Sequence, residues 1–511
     1  MPRKPKPKNA LSAGERAALY EAEQAEKRTQ RQSGLASETE NGSKLQSGDK
    51  KEHEKVKIEL PKPQYATVKV DLSMPTDRVK PLHGMCNGPV SYGADISSLF
   101  REIGVPLVRF DETDSAISSF AVDISRIFKN PESDPRDASN YDFSYTDKYV
   151  SAAYNSGAKV IFRLGESFDR MYSGKSICLP RDIDSFVEVC ANIVRHYNDY
   201  FADGYAFGIE YFEIWNHADA YSKDSERIFE LYRRVSSAIK LIDRDIKVGG
   251  MCFPDCGDGL REFLKYCKRT RSPIDFITLS SFDSKPQDLA NKIYDLIPLM
   301  RNLGFSETEI IVGAWSYIDS EAIGSMPLRK VMSGTDERYA EAKKKIFESQ
   351  CSIKGAAYAL SFMISLGNIS EISAACFYDA QPNISPWCAI SDRFGNPQKT
   401  FFTFKAYGEL YRAGQGIYTA VEESPGFAHS GIYAMGAKGN DGFYILISSF
   451  DGCGIVDLRL DSIPPDIYTA DIYMLDGVKD MTLADSIPIT GEKKRLILNI
   501  SRYGAAMVKL Y

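Results

Sequence analysis

Residues with chemically useful side chains follow several short apolar runs in this chain. Asn216 and His217 come after one such run, and Ala314 lies near the end of another. The other residues at or just beyond the ends of apolar runs are polar or aromatic: Asn87, Asp111, Glu112, Glu166, Ser281, Phe282, Trp315, Tyr378, Asp379 and, a little further on, Trp387. Amides and carboxylates can hydrogen-bond hydroxyl groups, and aromatic rings can stack on a flat apolar face, so this mixture suits the recognition of a sugar.

Cleavage of a glycosidic bond with retention requires two carboxyl groups about 5–5.5 Å apart, one as acid/base and one as nucleophile. Glu213 lies inside an apolar run, and we interpret it as a buried, paired structural group rather than a substitute acid. Glu112 and Glu166 are better suited to bind a sugar hydroxyl, or the neighbouring Arg109 and Arg163, than to attack an anomeric carbon.

Eight apolar runs are predicted to be strands: 82–85, 107–110, 159–164, 211–215, 247–250, 276–280, 309–315 and 372–378. Amphipathic helical stretches separate most of them; between 183 and 197, apolar residues recur at i, i+3, i+4 and i+7. Eight strand–helix units over roughly 330 residues are typical of a (β/α)8 TIM barrel, whose active site lies at the C-terminal ends of the strands. A doubly wound open sheet is the alternative, and the lack of a G-x-G-x-x-G turn after any predicted strand counts against it.

The two ends of the chain differ from this middle part. Residues 1–60 are rich in Lys, Glu, Gln, Ser and Gly, and they are predicted to form a disordered charged tail because they have too little apolar surface to offset the entropy of ordering. Residues 61–80 are predicted to form a strand that joins the C-terminal part. Residues 81–414 form the predicted barrel. Residues 415–511, with short apolar runs separated by Gly, Pro and Asp, are predicted to form a small β-sandwich.

Composition narrows the range of partners. The 511 residues carry a net charge of −6, which does not favour nucleic acid as a partner. No apolar run approaches the ~18–20 residues of a membrane span, and the basic start lacks the apolar stretch of a signal peptide, so a cytoplasmic protein without membrane contact is expected. Cys252, Cys256 and Cys267 are interpreted as incidental thiols, because no second ligand pair or histidine is near them in sequence. No metal or other cofactor is expected.

From about Leu82 to Tyr511 the chain resembles the family 39 glycoside hydrolases, the β-xylosidase-like group. The segments that carry the resemblance are Asn140-Tyr141-Asp142-Phe143, Thr146-Asp147, Arg163-Leu164-Gly165-Glu166-Ser167, Arg195-His196-Tyr197, Tyr211-Phe212-Glu213-Ile214-Trp215-Asn216, Lys247-Val248-Gly249-Gly250 and Ile274-Asp275-Phe276. The resemblance implies a barrel followed by a small β-sandwich, and hydrolysis of O-glycosyl bonds.

The resemblance also implies two catalytic glutamates that this chain lacks. After strand 4 the family has Trp-Asn-Glu-Pro-Asp, whereas residues 215–219 read Trp-Asn-His-Ala-Asp. After strand 7 it has Asn-Glu-Trp, whereas residues 313–315 read Gly-Ala-Trp. His217 is therefore at the acid/base-equivalent position and Ala314 at the nucleophile-equivalent position, and no residue is a confident catalytic candidate. A His-Asp pair after strand 2 and a His-x-Tyr after strand 6 are likewise replaced, at 111–112 and 280–282.

Three functions remain open at this point. The first is a pseudo-glycosidase, inactive or strongly impaired, with a carbohydrate as its expected ligand; the substrate-binding candidates are Asp111, Glu112, Glu166, Asn216, Trp315, Tyr378 and Trp387, of which the three aromatic residues could equally be ordinary packing. The second is an active glycosidase for β-xylosides or related glycosides, with a rearranged site that uses His217 with Glu112 or Glu166. The third is an interaction or scaffold protein that acts through its N-terminal tail. The oligomeric state is not predicted.

Overall fold

The structure is a computed structural model that describes residues 65–114, 119–167, 179–218, 224–333, 336–382, 385, 387–422, 430–452 and 454–511. Pro61–Tyr511 forms one compact unit. The predicted disorder of residues 1–60 lies outside the described residues.

Eight parallel strands close into a barrel, as predicted. The first strand of the chain, β1 (Tyr65–Arg78), precedes it, and a short hairpin of β3 (Val90–Ser91) and β4 (Ala94–Asp95) follows its first strand. The barrel strands are β2 (Gly84–Cys86), β5 (Leu107–Phe110), β6 (Lys159–Leu164), β7 (Tyr211–Ile214), β8 (Lys247–Phe253), β9 (Phe276–Asp283), β10 (Glu309–Tyr317) and β11 (Ile372–Phe377), in that order around the ring. Closure removes every free sheet edge and brings eight C-terminal strand ends to one mouth.

Helices surround the barrel. They are α1 (Ser97–Ile103), α2 (Ile124–Ile127), α3 (Thr146–Asn155), α4 (Ile183–Asn198), α5 (Ser225–Ile242), α6 (Asp258–Thr270), α7 (Asp288–Leu303), α8 (Ser320–Ile323), α9 (Leu328–Ser333), α10 (Glu337–Gln350), α11 (Ile353–Gly367) and α12 (Lys399–Ala413). Helix α4 follows the predicted periodicity: Phe186, Val189, Ile193 and Tyr197 are buried on one face, and the Asp182 side chain caps its first turn.

The C-terminal part is one mixed sheet of nine strands. After β1 its members are β12 (Gln415–Glu422), β13 (Ile432–Lys438), β14 (Phe443–Phe450), β15 (Gly454–Asp461), β16 (Thr469–Leu475), β17 (Asp480–Pro488), β18 (Lys494–Ile500) and β19 (Tyr503–Leu510). Their order is β17-β16-β19-β14-β13-β12-β1-β15-β18. Ile472 of β16 and Leu498 of β18 belong to one apolar cluster although they stand near opposite ends of that order, so the sheet folds over on itself around a single core.

Helix α11 joins the barrel to this sheet. It packs on β13, β14 and β19, and Ser361 Oγ donates to Ser448 Oγ at 2.9 Å. Residues on all sides of the helix are buried, which explains why its sequence is apolar without a polar face. Strand β1 lies between β12 and β15, antiparallel to the first and parallel to the second. In the described part of the chain, no helix has the length and hydropathy needed to cross a bilayer.

Candidate site at the barrel mouth

Strand β10 turns Ala314 into the barrel and Trp315 away from it. Ala314 belongs to an apolar cluster that includes Cys86 and Ile311 and draws residues from most of the barrel strands, which only the barrel interior can do. The Trp315 ring is fully buried and stacks on Phe362 of α11, with centroids 4.4 Å apart. The position equivalent to a nucleophile therefore faces the interior with a methyl group, whereas Trp315, a predicted sugar-binding residue, is part of the packing between barrel and helix.

The loop after β7 directs Asn216 into the barrel. Trp215 and His217, on either side of it, both have left-handed backbone angles, with φ of 63° and 48°. Trp215 is buried against Gly165, where an added Cβ would lie 3.0 Å from the indole. Asn216 Nδ2 donates to Asp111 Oδ1 at 2.5 Å. His217 is half-buried, and its imidazole, when protonated, lowers the pKa of the same carboxyl.

A buried guanidinium crosses the barrel below this mouth. Arg109 on β5 donates from Nε to Glu213 Oε2 at 2.7 Å and from Nη1 to Asp111 Oδ2 at 2.8 Å. The same Nη1 lies 3.3 Å from the carbonyl oxygen of Gly313 on β10. Glu213 Oε1 accepts a further hydrogen bond from Thr278 on β9. One side chain thus ties β5, β7 and β10 together at the level where a catalytic pair would be expected.

A second buried guanidinium supports the first. Arg163 on β6 donates from Nη2 to Asp123 Oδ1 at 2.6 Å and to the Asp111 carbonyl at 2.7 Å, and its Nε lies 3.6 Å from Asp111 Oδ1. Asp123 also accepts from the Ser167 backbone N–H and hydroxyl. Neither Arg109 nor Asp123 was predicted as a site residue, although an arginine inside each of two barrel strands was a sequence signal that the centre carries charge.

The two carboxyls on Arg109 are shifted in opposite directions. Burial raises the pKa of Glu213, and the nearby guanidinium of Arg109 only partly offsets that effect. Burial also favours the neutral form of Asp111, but Arg109, Arg163 and His217 together outweigh it and hold the pKa of Asp111 below its ordinary value. The two arginines beside Asp111 therefore favour its ionised form.

Gln381 links the Asp379 carboxyl to the backbone of Asp114 at the mouth. Its Nε2 donates to Asp379 Oδ2 at 2.7 Å, and its Oε1 accepts from the backbone N–H of Asp114. Burial raises the pKa of Asp379 to about 6, and it does the same for Asp114. Asn87 Oδ1 accepts from the Asp111 backbone N–H at 3.0 Å. The loops after β2, β5 and β11 are thus tied to one another by side-chain amides.

An aromatic cluster covers another part of the mouth. Phe282, Tyr378 and Trp387 have ring centroids 5.7–6.0 Å apart. Phe282 and Tyr378 contact both the barrel interior cluster and a second apolar cluster that includes Val331 and Ile346 from the helices after β10. Trp387 is only 8 % exposed, whereas Phe282 and Tyr378 are half-buried. Two of the three rings therefore keep a surface on which a ligand can stack.

The two predicted glutamates of the mouth have different surroundings. Glu112 is 5 % exposed, and its carbonyl oxygen accepts from Gln381 Nε2 at 3.3 Å. Glu166 is half-buried, and its carboxylate accepts from the Ser125 backbone N–H at 2.8 Å and from the Ser125 hydroxyl at 2.7 Å. Glu166 is thus held against the start of α2.

Several buried polar atoms around Asp111 have no hydrogen-bond partner among the described residues. The donors are Arg109 Nη2 and Arg163 Nη1, and the acceptor is Asn216 Oδ1. Buried polar groups are normally satisfied by protein or by water. Two unpaired donors and one acceptor in so buried a position match an ordered water molecule.

Comparisons with known proteins agree with this architecture. Residues 119–300 match the family described as glycosyl hydrolases family 39. A β-xylosidase of Geobacillus stearothermophilus is 25% identical over 179 residues, which is 31% of this chain and 34% of that protein, and a β-xylosidase of Caldicellulosiruptor saccharolyticus is 25% identical over 146 residues, 28% of this chain and 27% of that protein. The chain therefore matches only about a third of the length of these curated relatives.

Solved structures show the same fold over most of the chain. The glucosidase of Croceicoccus marinus aligns with a TM-score of 0.69 at 21% identity, covering 87% of this chain and 99% of that one. A monomeric β-xylosidase from Caulobacter crescentus aligns with a TM-score of 0.61 at 14% identity, again over 87% of this chain and 99% of that one. At these identities the likeness concerns the fold alone.

Proposed function

Because this chain is a glycoside hydrolase family 39-like barrel protein, we propose that it is a pseudo-glycosidase, which has kept the barrel but not the two-carboxylate chemistry. The observation that carries the proposal is the methyl group of Ala314, which faces the barrel interior beside the Arg109 cluster. Retaining hydrolysis forms a covalent bond between a carboxylate and the anomeric carbon, and a methyl group cannot form it.

The carboxylates in the barrel centre are poor substitutes for the missing pair. Glu213 is fully buried, with one oxygen on Arg109 and the other on Thr278. Asp111 is 3 % exposed and bound by Arg109 and Asn216. A nucleophile must reach the sugar and release its hydrogen-bond partners to do so, and freeing either carboxylate would remove one of the two carboxylate partners of the buried Arg109.

Carbohydrate binding is the retained activity that we propose for the same mouth. Its support is the set of half-buried side chains at the mouth: the rings of Phe282 and Tyr378, the carboxylate of Glu166 and the imidazole of His217. Polar side chains that can hydrogen-bond hydroxyls and aromatic faces on which a ring can stack are the two elements of a sugar site. The sugar itself is a prediction by resemblance: a β-xyloside or a related glycoside.

The direct test is turnover. Purified full-length protein is expected not to hydrolyse aryl β-xylosides, β-glucosides or α-arabinosides above background, whereas working enzymes typically turn over at 1 s⁻¹ or faster. Calorimetric titration with xylose, xylobiose and glucose on the same sample tests retained binding. Turnover near the enzyme range would refute the pseudo-glycosidase, and a silent titration for all three sugars would refute sugar binding at the mouth.

Restoration provides the complementary test. The double variant His217→Glu/Ala314→Glu is expected to give weak hydrolysis and a covalent adduct with a 2-fluoro glycoside, detected by intact mass and mapped to position 314. Each single variant should give less, because acid/base and nucleophile act as a unit. The matched control is His217→Gln/Ala314→Gln, which has the same side-chain volumes without the carboxylates. A folded double variant without label across several sugars contradicts the assignment of position 314.

A rearranged active site is the second candidate, and the proximity of His217 to Asp111 is the observation that favours it. The Asp111 carboxylate and the His217 imidazole influence each other electrostatically, and an imidazolium stabilised in this way could serve as a general acid. If the wild-type protein proves active, His217→Gln and Glu112→Gln should each remove the activity, with Glu166→Gln as the comparison. Activity that survives all three substitutions would exclude this candidate.

A further inference from the structure

Arg109 places the Asp111 carboxylate beside the position of the missing nucleophile. Its Nη1 lies 2.8 Å from Asp111 Oδ2 and 3.3 Å from the carbonyl oxygen of Gly313, the residue before Ala314. A single nitrogen thus contacts a carboxylate from β5 and the backbone of β10. Ala314 belongs to the same apolar cluster as Cys86, whose thiol donates to the Gly313 carbonyl oxygen. A carboxylate on residue 314 would therefore enter the same part of the barrel interior.

The charged side chains of this interior are already paired with one another. Two fully buried guanidiniums, Arg109 and Arg163, face three buried carboxyls, Asp111, Asp123 and Glu213. Burial raises the pKa of Glu213, and the neighbouring Asp111 carboxylate adds to that effect. A further carboxylate at residue 314 would have no new cation to pair with, and it would be in a medium that screens charge poorly.

We infer that Asp111 has taken over the electrostatic role that a carboxylate at residue 314 would have. The site has therefore exchanged one carboxylate partner of Arg109 for another, rather than only losing one. This rests on the proposed absence of a nucleophile at residue 314. Arg109 keeps a carboxylate partner at the end of β10, but that partner comes from β5 and is positioned by Arg109, Arg163 and Asn216. Asp111 is on this account a positioning residue that compensates Arg109. It also opposes the return of a nucleophile.

The test is a charge cycle in the full-length protein. Ala314→Glu and Ala314→Gln introduce side chains of nearly equal volume, so the difference between their unfolding midpoints isolates the effect of the added charge. In the wild-type background at pH 7, Ala314→Glu should unfold at lower urea than Ala314→Gln. In an Asp111→Asn background the gap should close or reverse, because Arg109 is then free to pair with residue 314. An equal gap in both backgrounds overturns the inference.

Two further measurements test whether the effect is specific to Asp111 and to the added charge. Asp123→Asn removes a charge from the same cluster but not from Arg109, so it should close the gap less than Asp111→Asn does; equal closure would indicate a general charge effect and overturn the inference. Lowering the pH from 7 towards 4.5 should close the gap in the wild-type background, because a carboxyl with a raised folded-state pKa loses its penalty once protonated. A gap independent of pH would mean that the added charge is not its cause, which overturns the inference. If Asp111→Asn does not fold, Asp111→Ser, which also removes the charge that competes for Arg109, replaces it in the cycle.

The cycle is independent of turnover. Hydrolysis by the wild-type protein would refute the proposed function, whatever the unfolding midpoints show. An equal difference between the Ala314→Glu and Ala314→Gln midpoints in both backgrounds would refute the role of Asp111, even if the protein is inactive. If both proposals hold, adding Asp111→Asn to the His217→Glu/Ala314→Glu variant should increase the yield of 2-fluoro glycoside adduct several-fold.

Discussion

The barrel carries a network of ion pairs near each end of its strands, and the two networks differ in their contact with water. Near the starts of β8 and β10, Lys247 Nζ lies 2.5 Å from Glu309 Oε1, with side chains 30% and 25% exposed. Toward the mouth, Arg109 Nε lies 2.7 Å from Glu213 Oε2, and both side chains are fully buried. Both pairs join a basic and an acidic side chain, but only the first pair is in contact with water.

Because of this difference, the pair near the strand starts should matter little for stability, whereas the buried pair near the mouth should matter a great deal. A pair in contact with water gains little from its partner, because water solvates either charge when the other is removed. A buried pair owes its importance to what removal leaves behind, which is a desolvated charge with no partner. The mouth of this barrel therefore uses its carboxylates to keep its arginines satisfied, and carboxylates with that task are not free for chemistry.

Arg109→Met should produce the largest loss of stability. It leaves Glu213 and Asp111 buried beside an apolar side chain, and breaking a buried pair in this way typically costs about 3–5 kcal/mol. Urea unfolding followed by circular dichroism at pH 7 measures the loss. Arg109→Lys, which keeps the charge but not the fork of donors, should lose less. If Arg109→Met lost under 1 kcal/mol, the buried network would be no more important than the exposed one.

Asp379→Asn should have a smaller effect that depends on pH and is stabilising. Burial raises the folded-state pKa of Asp379 to about 6, against about 3.9 when unfolded. The ionised form is therefore penalised in the folded protein: full stability is present below the unfolded pKa and is lost as pH rises through 6.

At pH 8 this penalty is on the order of 2–3 kcal/mol, since one pKa unit corresponds to about 1.4 kcal/mol. Asp379→Asn removes the charge and keeps an oxygen for Gln381, so it should unfold at higher urea than wild type at pH 8 and show no gain near pH 4. The exposed Glu307→Gln serves as the control. A gain of equal size at both pH values would mean that the side-chain charge is not the cause.

The barrel strands could be predicted from sequence because they are buried on both faces and appear as continuous apolar runs. Leu107–Phe110 and Lys159–Leu164 have the predicted limits, and β8 to β10 extend further than predicted at their C-terminal ends. Strand β17 has no apolar run that could have indicated it, because no residue of Asp480–Pro488 is buried and the segment lacks the alternation that marks a half-buried strand. The C-terminal part is a nine-stranded sheet folded over on itself, which regular spacing of short runs does not specify.

The geometry of the mouth was harder to predict from the sequence than the barrel strands. Strict alternation along β10 from Ile311 would turn Trp315 inward, but the pairing with β9 skips a residue between Val312 and Ala314. That irregularity reverses the facing of everything after it, so Ala314 points in and Trp315 points out. The contact of Arg109 with Glu213 joins residues 104 positions apart, and no local pattern contains that pairing.

The exposed network gives the smallest predicted effect. Lys247→Met should lose about 0–1 kcal/mol, because Lys247 and Glu309 are both partly hydrated. In a double-mutant cycle with Glu309→Gln, the coupling energy should be below about 1 kcal/mol and should decrease further in 1 M NaCl, where the screening length is about 3 Å.

Lys247 also donates to the Tyr211 hydroxyl at 2.8 Å, so Tyr211→Phe is needed to separate that bond from the ion pair. A coupling of several kcal/mol that salt leaves unchanged would mean that the strand starts are as desolvated as the mouth. The contrast between the two networks would then be wrong, and the buried carboxylates could no longer be set apart by their surroundings.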